Sequence, residues 1–249
     1  MGIDIAFAQR LIASRRHLDA ARTGVMLGRQ EMTVRPRYFQ RLNRVLGEAG
    51  IKEDIEGLLQ PDGFCERFLS GLGYPDMQSM DASAFEGCDL VHDLNDPLPD
   101  TMRGAFDVVV DGGTIEHVFN TPRALDNVFH MLRDGGVFIS VNGMTGWAGH
   151  GFYQFSPELV WRYWHDARAC EVLECAAVPT DPKVAARDAL DAGKAGGRFR
   201  GRGMEGKWYL YYVVRRSAGA NPAEHITNTS QGDYAARWQT HQSDTENNP

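Results

Sequence analysis

FDVVVDGGTIEHVFNTPRALDNVFHMLRDGGVFISV, residues 106–141, is the stretch on which the fold of this chain turns. Residues 106–110 form a nearly unbroken apolar run, the pattern of a strand covered on both faces. Its end delivers Asp111, Gly112, Gly113, Glu116 and His117, a loop of acidic and imidazole groups. A helix follows, and residues 137–141 make a second apolar strand. Such a βαβ unit places its loop at the carboxyl ends of a parallel sheet, where open α/β folds bind ligands.

Working upstream, residues 23–28 (TGVMLG) read as a first buried strand, with Arg29 and Gln30 beginning the turn after it. Residues 35–46 carry Tyr38, Phe39, Leu42, Val45 and Leu46 at helical spacing, closed by Gly47, and supply the crossover helix. A second strand is expected at residues 77–80, ending on Asp81, and a third at residues 89–92. Asp93, Leu94 and a proline-bearing segment follow, and the prolines cannot continue a ladder. Downstream, the loop of residues 142–155 contains four glycines and His150. Ser156, Pro157 and Glu158 then start a helix with a hydroxyl cap, a first-turn proline and an anion at the positive end of the helix dipole. Residues 171–178 and 207–215 read as two more strands.

The 249 residues suit one large α/β domain, residues 1–216, burying about three quarters of the surface its unfolded chain exposes. Residues 49–74 are an insertion with a helix expected at residues 66–72, either a lid over a ligand or packing bulk. Residues 179–206 carry Arg198, Arg200 and Arg202 among glycines and read as a flexible solvated loop. Residues 217–249 are polar, lack periodicity and are expected to be disordered. Residues 1–22 alternate apolar and charged positions at helical spacing. Asp4, Arg10, Arg15 and Arg16 rule out a signal peptide there, and packing on the sheet is favoured over membrane contact.

The formal net charge of −7 argues against a general affinity for nucleic acid or anionic membrane. Four cysteines without CxxC spacing or a histidine cluster encode neither a zinc site nor a disulfide framework, so no metal is expected and a reducing compartment is. No stretch reaches the length of a transmembrane helix. A cytoplasmic chain is the expectation.

The segment of residues 106–141 resembles the fourth and fifth strands of class I S-adenosylmethionine-dependent methyltransferases. There an FDxV strand leads to a Glu-His-Val turn, a helix, and Leu-x-x-Gly-Gly before the next strand. Here those elements are Phe106-Asp107, Glu116-His117-Val118 and Leu132-Arg133-Asp134-Gly135-Gly136. The last two strands match that family's antiparallel seventh strand. The resemblance implies a doubly wound, mostly parallel seven-stranded sheet with the last strand antiparallel. It also implies S-adenosylmethionine as cofactor and methyl transfer to oxygen or nitrogen of a small molecule or glycan precursor.

On the cofactor side, the resemblance gives Asp81 the ribose hydroxyls and Asp93 the adenine amino group, with Leu94 packing on the ring. Asp111 and Gly112 close the same surface. Read on their own, Asp81 serves equally as a cap and Asp93 as an ordinary turn residue. The family's Gly-x-Gly-x-Gly is replaced by Leu27-Gly28-Arg29-Gln30. Gly28 supplies the one turn glycine, leaving Arg29 or Gln30 to meet the cofactor carboxylate; otherwise the site is lost or turned to another ligand. On the acceptor side, Glu116 and His117 lie near the reacting methyl, and His117 or His150 is the candidate base, although loop histidines are often plain surface residues. His150, Tyr153 and Gln154 are expected to face the acceptor, with Phe152 and Phe155 as core. The rival reading is a catalytically inactive methyltransferase-like binding or scaffold protein, with a nicotinamide-dependent oxidoreductase third.

Overall fold

A computed structural model describes residues 2–195 and 197–235. The chain runs β1 (Gly2–Ile3), α1 (Ile5–Ser14), β2 (Thr23–Leu27), β3 (Glu31–Met32), α2 (Phe39–Glu48), α3 (Ile55–Leu58), α4 (Glu66–Gly71), β4 (Asp76–Asp81) and β5 (Leu90–Val91). Then come β6 (Phe106–Asp111), α5 (Thr121–Met131), β7 (Leu132–Thr145), a π-helical segment (Leu159–Ala167), β8 (Glu171–Pro179), β9 (Arg187–Asp188) and β10 (Trp208–Arg215). Eight strands form one sheet in the order β5-β4-β2-β6-β7-β10-β8-β9. The pairs from β5 to β7 are parallel, whereas β10 is antiparallel to both β7 and β8. This is the expected doubly wound sheet, extended by the two-residue β9 at the far edge.

Strand periodicity sorts the side chains into two cores. Val108 and Val110 of β6, with Tyr209, Tyr211 and Val213 of β10, face α1 to α4. Val109, with Leu210, Tyr212 and Val214, faces α5 and the π-helical segment. Alternate residues thus serve opposite layers, and both layers are apolar, which is why these strands read as continuous hydrophobic runs. Asp4 caps α1, its Oδ1 accepting from the Phe7 N–H at 2.9 Å. The helix of the insertion is present as α4, and its Phe68 and Leu69 join the first core.

Four segments differ from the sequence reading, the first being the helix after Ser156, which is π-helical and carries no side-chain cap among the described residues. β7 runs past residue 141 because β10 offers partners beyond it, Trp208 pairing with Thr145. The connection of residues 179–206 is tied to the body: β9 pairs with β8, Arg187 Nη1 donates to the Arg202 carbonyl at 2.7 Å, and Arg162 ion-pairs with the buried Asp191. Of the expected disordered tail, residues 217–235 are described and place Ala220 and Ile226 against the second core. Residues 236–249 lie outside the described residues. Among the described residues no helix is long and apolar enough to cross a membrane, and the four cysteines are unpaired.

Candidate active site

The parallel registers bring three strand ends level with one another and with the middle of β7: Leu27 of β2 pairs with Met80 of β4 and with Asp111 of β6, which pairs with Ser140 of β7. Whatever follows these residues therefore gathers at one edge of the sheet. A cleft of about 320 Å³ opens there, lined by Gly28, Arg29, Gln30, Asp81, Gly113 and His117. Ser83, Phe85, Glu86 and Thr114 complete the wall.

Gly28 makes the turn at φ +67°, and a Cβ there would stand 2.9 Å from Thr114 Oγ1. Its N–H donates to the Met80 carbonyl at 2.6 Å, joining the turn to the adjacent strand end. Among the described residues the Asp81 carboxylate accepts only the neighbouring Ala82 N–H, at 2.6 Å, so it retains acceptor capacity toward the cleft. Phe85 is 93% exposed in the loop after β4, an aromatic face held in solvent at the cleft wall. The sequence reading missed it; the signal was a single large apolar residue in the polar turn 81–87.

Two of the residues expected to meet cofactor are otherwise engaged. The Arg29 guanidinium donates to Glu66 at 2.7 Å and Asp62 at 3.0 Å, and lies 3.8 Å over the Phe64 ring, all within the insertion. Gln30 is buried; its Nε2 donates to the Leu27 carbonyl at 2.6 Å, and its Oε1 has no donor. That oxygen lies 2.5 Å from where a Cβ on Gly112 would stand, so Gly112 is glycine to make room for Gln30. Asp111 is fully buried below the cleft. Its Oδ1 accepts from the Gly113 and Thr114 N–H groups at 3.1 and 2.7 Å, and its Oδ2 from Ser140 Oγ and Asn142 Nδ2 at 3.0 and 2.7 Å. Burial pushes its pKa up against those bonds. Asp111 shapes the loop and does not reach the cleft. Asp93 and Leu94 also lie outside its lining: Asp93 caps Asn95, whose bonds hold its carboxyl below the usual range, and Leu94 packs in the second core.

At the other end, Glu116, His117 and His150 converge. Glu116 is 1% exposed, and its Oε2 takes a short hydrogen bond from the Gly143 N–H. Its Oε1 has no hydrogen-bond donor of good geometry, and lies 3.1 Å from His150 Nε2 and 3.9 Å from His117 Nε2. Burial pushes the Glu116 carboxyl up to about 7, with the nearby Asp111 adding to it. Burial lowers both imidazoles, His117 further through His150, and His150 further through Lys207. The rings of His117 and His150 meet edge to face at 4.9 Å, and Trp147 stands 5.2 Å from His150 with Lys207 Nζ 4.2 Å over it. The loop is pinned by the Phe152 N–H donating to the Glu116 carbonyl at 2.8 Å.

Tyr153 and Gln154 are engaged by the protein, Tyr153 by the turn after β6 and Gln154 by its own loop. Tyr153 OH donates to the Phe119 carbonyl at 2.8 Å, and Gln154 Oε1 accepts from the Trp147 N–H at 3.3 Å. Phe155 packs on the second core as expected, but Phe152 is 65% exposed and meets Phe119 edge to face.

No family model matches the sequence, and no curated protein matches it. Among solved structures, it is similar to the 1,6-didemethyltoxoflavin-N1-methyltransferase of Burkholderia thailandensis, with bound 1,6-didemethyltoxoflavin and S-adenosylhomocysteine, at 15% identity over 86% of this chain and 80% of that one, with a TM-score of 0.44. It is also similar to a TehB-like S-adenosylmethionine-dependent methyltransferase of Corynebacterium glutamicum, at 18% identity over 87% and 90% of the two chains, TM-score 0.42. A possible histamine N-methyltransferase of Thermotoga maritima matches at 15% identity over 84% and 92%, TM-score 0.38.

Proposed function

We propose that this chain is an S-adenosylmethionine-dependent methyltransferase acting on oxygen or nitrogen of a small polar acceptor, with a glycan precursor among the candidates. The observation that carries the reading is the Asp81 carboxylate, with acceptor capacity to spare, at one end of a strand-end cleft that has His117 at the other. Asp81 would accept the two ribose hydroxyls, and Phe85 would cover the adenine face. The turn at Gly28 needs glycine for its positive φ and for the close approach of Thr114 and Gln30, and it forms one wall of the cleft. The cofactor supplies an electrophilic methyl group on sulfur. The chain's part is alignment, since methyl transfer is an in-line displacement governed by proximity. The Glu116, His117 and His150 group is positioned to hold an acceptor beside the cleft and to take its proton, His150 being the candidate base and Glu116 the group that orients it. Four unpaired cysteines suit a cytoplasmic location.

The catalytically inactive binding protein is the second reading, favoured by one observation: the Gln30 side chain fills the turn where the family's glycines leave room for the cofactor. Calorimetric titration with S-adenosylhomocysteine separates the two. Binding is expected, and Asp81→Ala should weaken it by about 1 to 3 kcal/mol through loss of charge-assisted hydrogen bonds. Absence of binding at millimolar ligand would end the methyl-transfer reading. His150→Ala should lower transfer while leaving S-adenosylhomocysteine affinity nearly unchanged.

A further inference from the structure

Glu116 Oε1 is a buried acceptor without a hydrogen-bond donor, and leaving such a group unsatisfied is costly, most of all when it is charged. Two imidazole nitrogens face it, at 3.1 and 3.9 Å. All three potential ligand atoms lie within 4.8 Å of one another. Ligands about 2 Å from a shared cation stand roughly 3 Å apart, so modest rotation of His117 closes the set. We propose that Glu116, His117 and His150 bind one divalent first-row transition metal ion.

Two features beyond the ligand set support the proposal. The carboxylate is held in place from behind, since the Gly143 N–H binds its Oε2 and Asn142 Oδ1 accepts the Glu116 N–H at 3.2 Å. Such outer contacts orient metal ligands and leave Oε1 as the donor atom. The two rings also pack against each other and against Trp147, which limits their rotation. Two imidazoles and one carboxylate suit Zn, Mn, Fe or Co and leave coordination positions open. His117 also lines the cleft, so those positions face it. An acceptor oxygen or nitrogen would ligate there; with metal bound, His150 would serve as a ligand and not as the base, and the ligated acceptor, its pKa lowered, would lose its proton to solvent. This role rests on the methyl-transfer reading, but metal binding itself does not.

The test is calorimetric titration of the chelator-stripped full chain with Zn(II) and, for spectroscopy, Co(II). One equivalent should bind, with a Co(II) visible spectrum of mixed nitrogen and oxygen ligation. Affinity should fall at least about 10-fold in His117→Gln, His150→Gln and Glu116→Gln alike. His92→Gln, outside the ligand set, should bind as wild type. Unfolding curves for each variant identify any that fail through misfolding; two folded ligand variants suffice. No saturable binding at millimolar metal, or binding untouched by the folded ligand variants, would overturn the proposal. S-adenosylhomocysteine binding, measured on the same stripped protein, reports separately: metal binding without it defeats only the methyl-transfer reading, and the converse defeats only the metal site.

Discussion

At the scale of single residues, Glu116 makes the clearest pH prediction. Its carboxyl is raised to about 7 in the folded chain by burial, against an ordinary value of 4.5. Below pH 4.5 both folded and unfolded forms are protonated. Between about 4.5 and 7 the unfolded form releases its proton first, so the folded form binds more protons and stability falls as pH rises. Asp111, His117 and His150 face the group, and Asp111 titrates in the same sense. His117 and His150, lowered by burial, act in the opposite sense, so the Glu116 contribution is read as a difference: in metal-free protein, thermal melts from pH 4.5 to 7.5 should show wild type losing stability relative to Glu116→Gln as pH rises, and parallel curves for the two would refute the assignment. Asp111 is a different kind of residue, a loop organiser. Asp111→Asn turns one acceptor into a donor facing Asn142 Nδ2, and urea unfolding should show a loss of about 2 to 4 kcal/mol. Both acids stand out in the sequence, but their different roles do not, because these depend on the distant Ser140, Asn142 and Gly143 on β7.

Among elements, the insertion of residues 49–74 is fastened to the cleft through Arg29. Its guanidinium ion-pairs with Asp62 and Glu66 and donates to the Glu86 carbonyl, which belongs to the loop that carries Phe85. Arg29→Met should speed hydrogen exchange in residues 59–67, and saturating S-adenosylhomocysteine should slow it in the wild type if the insertion acts as a cover. Identical exchange in all three states would leave it as packing bulk. The central strands β2, β6 and β10 were legible because they are buried on both faces and so read as apolar runs. The loop 142–155 was legible only as an anomaly of composition. Its fold depends on the backbone carbonyls of Glu116 and Gly143, which bind the Phe152 and Phe155 N–H groups and carry no side-chain signature. The same limit explains Arg29: a cation beside a turn glycine gives no hint that its partners lie more than thirty residues on.

For the whole molecule, the segment after β10 belongs to the folded body. Arg168 is fully buried, paired with Asp126 at 2.6 Å, and its Nη1 donates to the carbonyls of Asn221 and Ala223. A chain ending at Arg216 would strip those acceptors from a buried cation, and denaturation should show a loss of about 3 kcal/mol or more. Stability equal to that of the full chain would show that the segment after β10 contributes nothing. The central place of β10 has a consequence for how the molecule is made. The strand synthesised last among the ten sits between β7 and β8, so both of those strands leave the ribosome with an edge that nothing upstream can pair. The sheet can close only after residue 215 has emerged, and until then the nascent chain carries two open apolar edges that invite association with other chains.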